Sequence, residues 1–158
     1  GATESGPMID TPKGGFTVRA PVGAQMIPMD SLRQLVELGV AGQIADARSA
    51  GRFAGVDPEP RAGLRGGHMP GASNVPIASL INQDGGLRSL DEIAAAFAAG
   101  GIETDRPVIT TCGSGVTACG LALGLALLGN ENVFVYDGSW SEWGASDAPL
   151  ETSTPSPA

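Results

Sequence analysis

Residues 107–129 read PVITTCGSGVTACGLALGLALLG. An apolar, β-branched run ends on Cys112, a loop of small residues follows, and a long apolar stretch begins at Val116. A cysteine at a strand end, followed at once by a helix, can be a nucleophile. Gly113 and Gly115 allow backbone angles closed to other residues. Successive N–H groups can then turn inward as an anion-binding nest. The helix start adds partial positive charge. Such surroundings favour thiolate over thiol and would hold an anionic group carried on the sulfur. The bare pattern also fits an inert cysteine buried at a strand end. The glycines flanking Ser114 favour the functional reading.

Three other chemistries fit less well. A phosphatase loop of the C-x5-R type needs an arginine six residues after the nucleophile, where this chain has Ala118. A dithiol pair with Cys119 needs Cα atoms within about 7 Å and facing side chains. Cys119 instead falls nearly a turn inside the helix and reads as a packing residue. A zinc site lacks ligands, because His68 is the single histidine and the two cysteines are not in C-x2-C spacing.

Arginines form the second chemical signal. The chain has net charge −8, with Lys13 its only lysine, yet Arg48, Arg52, Arg61 and Arg65 fall in one short segment. Planar guanidinium groups suit bidentate carboxylate binding. Each could equally pair with Asp57 or Glu59 in its loop. The overall acidity disfavours nucleic acid and anionic membrane as partners.

These residues need a frame. Residues 1–24 and 151–158 are rich in Gly, Pro, Ser and Thr and read as a linker and a disordered tail, leaving 25–150 as one folded domain. MDSLRQLVELG (29–39) reads as a helix capped by Asp30 or Ser31 and ended by Gly39. QIADA (43–47) reads as a short buried strand. Residues 48–76 form a long loop, of the kind that is usually functional or disordered. SLDEIAAAFAAGGI carries a capping box, Ser89 with Glu92. PVITTC and NVFVYDG read as strands, and 116–129 as a helix apolar nearly all round and therefore buried. Strands alternating with helices predict an α/β domain with a mostly parallel central sheet flanked by helices. No uncharged apolar run reaches the ~18 residues of a membrane helix. Two cysteines and no signal-peptide pattern point to a reducing, cytoplasmic setting. The start on Gly1 without Met suggests excision from a longer protein, which would hide any leader.

CGSGVTAC resembles the active-site loop of rhodanese-type sulfurtransferases of the mercaptopyruvate type. DARSAGRFAGVDPEPRAGLRGGHMPGASNVP (46–76) is similar to the segment before their catalytic strand, and YDGSWSEWG (136–144) to their closing motif. The resemblance implies a rhodanese-like fold and transfer of a sulfane sulfur from 3-mercaptopyruvate, through a persulfide on Cys112, to a thiol or cyanide. It implies that loop amides from Gly113 through Ser114, Gly115 and Val116 to Thr117 hold the persulfide. Ser114 matches a hydroxyl that bonds the sulfur or relays a proton. Arg52 and Arg61 match arginines that grip the donor's carboxylate and ketone. Thiosulfate-preferring relatives carry Arg-Lys where this chain has Gly113-Ser114. The partners implied are a small anionic sulfur donor and a thiol acceptor, either a small thiol or a thioredoxin-like protein. No cofactor or metal is implied. Such proteins usually pair two rhodanese domains, the second bearing the cysteine, so an N-terminal rhodanese domain is expected in the parent protein. The alternatives are thiosulfate as donor, or a noncatalytic persulfide carrier or interaction module. Arg48 and Arg65 read as structural surface pairs, and His68, in GHMPGA, as part of a structural turn. At least one of Trp140 and Trp143 is expected to pack rather than wall the pocket.

Overall fold

Five short strands, each continuing the chain in the same direction, make one sheet in the computed structural model. It describes residues 24–153, with Gly6, Gly14, Gly15 and Thr17 singly before them. The predicted linker therefore lies almost wholly, and the last five residues of the predicted tail wholly, outside the described residues. The strands are β1 (Gln25–Met26), β2 (Gln43–Asp46), β3 (Ala72–Asn74), β4 (Val108–Thr111) and β5 (Val133–Val135). All pair in parallel, in the order β1-β5-β4-β2-β3. Helices α1 (Met29–Glu37), α2 (Ala50–Ala54), α3 (Leu90–Ala99), α4 (Val116–Leu127) and α5 (Ser139–Trp143) link and cover them, with a 3-10 turn at Ile77–Leu80.

Side chains alternate across β4, and that alternation divides the core. Val108 joins Val75, Leu80, Ile93, Phe97, Leu121 and Leu125 on one face. Ile109 joins Leu32, Ile44, Met69, Tyr136, Trp140 and Trp143 on the other. A parallel sheet must be covered on both faces, and these two clusters cover it. Cys112 belongs to the first. Both tryptophans are fully buried, so both pack.

Several elements differ from expectation. The start of α1 is set by Pro28, and no side chain caps it; Asp30 lies inside the first turn. The chain enters the helix directly from β1, so a fixed proline φ serves where a capping side chain was expected. Gly39, at φ +67°, ends the helix as predicted, with the Val40 N–H bonding back to the Leu35 carbonyl. The 48–76 segment is not all loop, since it holds α2 and β3. The chain stays ordered past residue 150, because Glu151 and His68 exchange backbone hydrogen bonds of 2.8 Å.

Helix α4 is buried on one face only. Ala118, Leu121, Ala122 and Leu125 face the sheet, while Val116, Leu123 and Leu127 are exposed. Cys119 is exposed as well and does not pack, contrary to the sequence reading. An outer-layer helix has one sheet to lie on, so apolar residues on its far side stay outside. Among the described residues no helix is long and apolar enough to cross a membrane.

Candidate active site

Strand β4 delivers Cys112 to the carboxyl edge of the sheet, where α/β folds bind ligands. The residue is 1% exposed. The chain then turns through Gly113, Ser114 and Gly115 into α4. Gly115 stands at the helix N-cap with φ +84° and ψ −29°, in a backbone region that an L side chain rarely enters. A Cβ there would lie 2.5 Å from the Asp137 carbonyl oxygen. The loop is also tied down from behind. The Cys112 carbonyl accepts from the Trp140 N–H at 2.9 Å. The Gly113 carbonyl accepts from the Ser141 N–H at 2.9 Å and from the Ser141 hydroxyl at 2.6 Å.

Two influences oppose each other at the sulfur. Burial pushes the Cys112 thiol up. The Thr117 hydroxyl, the main-chain N–H groups of Ser114 and Ala118, and the Ser139 hydroxyl pull it down, and together they prevail. The thiol therefore ionises below its ordinary range, as a nucleophilic cysteine requires. Ser139 Oγ lies 3.8 Å from Cys112 Sγ. It also accepts from the Cys112 N–H at 3.0 Å, and its single proton has two acceptors in reach, the sulfur and the Tyr136 carbonyl at 2.8 Å. Ser139 is the one non-glycine residue at positive φ (+49°) among the described residues, and its hydroxyl stands within reach of the cysteine.

The rate of Cys112 alkylation by iodoacetamide should rise as pH climbs through a midpoint below the ordinary thiol range and level off above it. Thr117→Val should move that midpoint upward by about one unit, the usual size of one hydrogen bond to an ionised group. An unmoved midpoint would remove Thr117 from the thiolate's support. By linkage, an acid whose pKa falls on folding stabilises the fold above its unfolded pKa. That contribution disappears as pH drops through the folded value.

A cavity of roughly 270 Å³ opens beside the loop, lined by Arg52, Glu59, Pro60, Arg61, Leu64, Gly113, Ser114, Thr117 and Ser141. Arg52 lies against Gly113, where a Cβ would come 2.8 Å from Arg52 Nη2. A glycine at 113 thus lets the guanidinium approach the loop. Arg61 Nη1 donates to Ser141 Oγ at 2.8 Å.

The residues expected from the sequence largely meet. Arg52, Arg61, Gly113, Ser114 and Thr117 line this one cavity, and Cys112 and Gly115 form the loop beside it. Val116 sits at the first position of α4 and is 75% exposed. Ser114 gives the sulfur its main-chain N–H, while the hydroxyl bonds come from Thr117 and Ser139. Arg65 is structural, bonding the carbonyls of Trp143, Gly144 and Ala148. Arg48 is structural too, but not a surface pair. It is buried, joined to both Asp46 and Glu59, and stacked 4.1 Å over the Trp140 ring. His68 stacks on Phe53 at 3.8 Å and hydrogen-bonds the Phe53 carbonyl, holding the turn.

Sequence reasoning missed Ser139 and Ser141. The signal available was DGSWSEW itself: a turn after a strand, in line with Cys112, with two hydroxyls between apolar anchors.

Residues 29–146 match the family model of the rhodanese-like domain. The 3-mercaptopyruvate sulfurtransferase of Escherichia coli (strain K12) is 53% identical over 110 residues, covering 69% of this chain and 39% of that protein. The thiosulfate sulfurtransferase of Rattus norvegicus is 46% identical over 111 residues, covering 70% of this chain and 37% of that protein. The crystal structure of the Tum1 protein from Saccharomyces cerevisiae superposes with a TM-score of 0.74 at 30% identity, over 81% of this chain and 46% of that one. The chain thus spans well under half the length of the curated relatives it matches.

Proposed function

The chain belongs to the rhodanese-like domain family, and from that premise we propose that it is the catalytic part of a sulfurtransferase using 3-mercaptopyruvate. The Cys112 thiolate attacks the donor's sulfur. The carbon–sulfur bond breaks, and its electron pair remains on carbon as the enolate of pyruvate, which takes up a proton. Cys112 keeps the sulfur as a persulfide. An acceptor thiolate, or cyanide, then attacks the outer sulfur, and the sulfur–sulfur bond breaks to restore the Cys112 thiolate. In this reading Ser114, exposed at the mouth of the loop, relays the enolate's proton. A cytoplasmic setting suits a reaction that needs a free thiol and a thiol acceptor.

One observation supports this reading most. A thiol held below its ordinary range stands beside a cavity whose walls carry two guanidinium groups and a row of small residues. The cavity fits a short keto acid, and the loop N–H groups suit the charged outer sulfur. The 46% identity to a thiosulfate sulfurtransferase supports a second donor, thiosulfate. The tandem domain of the longer relatives is proposed for the parent protein.

Mass spectrometry after exposure to mercaptopyruvate tests the proposal. One added sulfur on Cys112, released to cyanide with repeated turnover, is the expected result. A stable adduct with no turnover would make the domain a carrier instead.

Arg61→Ala should raise the mercaptopyruvate KM about tenfold or more, the usual cost of a charge-assisted carboxylate contact. An unchanged KM, from steady-state kinetics, would take Arg61 out of donor binding.

A further inference from the structure

The cavity beside Cys112 contains a carboxylate as well as its arginines, and that carboxylate is not at the rim. Glu59 has a side chain only 2% exposed. It accepts from Arg52 Nη2 at 2.5 Å and Nε at 3.3 Å, and from Arg48 Nη1 at 2.8 Å. Arg48 is in turn held by both oxygens of Asp46, with Nε at 3.0 and 3.1 Å and Nη2 at 2.7 Å. Asp46, Arg48, Glu59 and Arg52 thus form a continuous row of alternating charge that sums to zero. Arg61 stands outside the row. It donates to the Ser141 hydroxyl, and among the described residues it makes no ion pair. Asp137 and Glu142 do not line this cavity but face the neighbouring cleft with Met26 and Tyr136, across Ser141, and Asp57 lies against Gly51.

We propose that Glu59 is a specificity-determining residue: by neutralising Arg52 it leaves the donor cavity one net positive charge, that of Arg61, and so selects monoanionic over dianionic donors. The inference rests on the sulfurtransferase reading and names the charge class of its substrate. Arg52 still offers N–H groups and shape to a ligand, but its charge is already spent on Glu59. A monocarboxylate pairs with Arg61 and leaves nothing uncompensated. A dianion brings a second charge with no partner, into a partly enclosed cavity where that costs more than in water. The sulfur's own charge is held by the loop hydrogen bonds and is common to both cases.

The test reads binding without turnover. Pyruvate serves as monoanion and sulfate as dianion, and each is titrated for its protection of Cys112 against iodoacetamide, a neutral alkylator. In the unaltered protein pyruvate protects at lower concentration. Glu59→Gln keeps the size of the side chain and adds one net positive charge to the cavity. It should move the sulfate-to-pyruvate ratio of protection constants toward sulfate by about a hundredfold, the order expected for a unit charge roughly 6 Å away at an effective dielectric of ~20. Arg52→Gln with Glu59→Gln removes one charge of each sign and should bring the ratio back near its starting value. Arg61→Gln, at an exposed position that leaves the buried row intact, should move it the opposite way, against sulfate. That variant keeps the proposal testable if Glu59→Gln does not fold, which circular dichroism will show. An unmoved ratio in a folded Glu59→Gln protein, or in Arg61→Gln, overturns the proposal. Absence of sulfur transfer with the ratio shifting as stated would instead sink the sulfurtransferase reading and leave the charge selection standing.

Discussion

Cys112→Ser should leave less than about a thousandth of the sulfur-transfer rate, because removing a covalent nucleophile commonly costs this much or more. The serine hydroxyl would occupy nearly the same space and keep several of the same hydrogen bonds. It cannot accept a sulfane sulfur, and it does not ionise near neutral pH. The informative comparison is Cys119→Ser, which should retain most of the rate. Cys119 is exposed on α4, whereas the bonds that lower the Cys112 pKa come from Ser114, Thr117, Ala118 and Ser139. Steady-state assay of both variants, with mass spectrometry of the sulfur-loaded protein, checks the pair. Equal loss in the two variants would reject a single nucleophile and revive a dithiol mechanism.

The second large effect belongs to a residue with no side chain. Gly115→Ala should slow transfer by about a hundredfold, the cost of displacing reacting groups by about an ångström, and destabilise the fold by roughly 2–4 kcal/mol. Two causes add. The φ of +84° is strained for alanine, and the new Cβ would meet the Asp137 backbone, which cannot step aside as a flexible side chain could. Gly129→Ala separates them. Gly129 has φ +89° with nothing within 4 Å of where a Cβ would stand, so that variant carries the backbone strain alone, ~1–2 kcal/mol. Thermal unfolding and the alkylation rate of Cys112 measure both variants. Equal destabilisation, with Cys112 reactivity intact in Gly115→Ala, would mean that the loop does not depend on that close approach.

The sequence carried the elements next to the chemistry well. PVITT is β4 from Val108, the Ser89–Glu92 capping box forms with both of its hydrogen bonds, and the predicted parallel α/β frame is the rhodanese fold the chain adopts. It carried short elements badly. Helix α2 has five residues and β3 three, too few for periodicity to declare itself. Burial of charge was also hidden. Composition places Arg48 and Glu59 at the surface by default, and only the meeting of segments distant in sequence reveals that they satisfy one another inside. Helix α4 failed for the opposite reason. Apolar residues on every side give no moment to say which face turns inward, so Cys119 could not be assigned to the outer one.

The sheet order bears on how the chain can be made. Strand β1 supplies the first residues of the sheet, yet its one neighbour is β5, with Gln25 opposite Phe134. Emerging from a ribosome, the opening strand must wait for nearly the whole domain before it has anything to pair with. Trp140 and Trp143, which complete the core cluster shared with Leu32, arrive later still. Completion of the sheet is therefore held back until β5 has been made. The nascent domain spends its longest interval with α1 and its apolar face uncovered, the stage at which a chain of high contact order is most open to aggregation and to capture by chaperones.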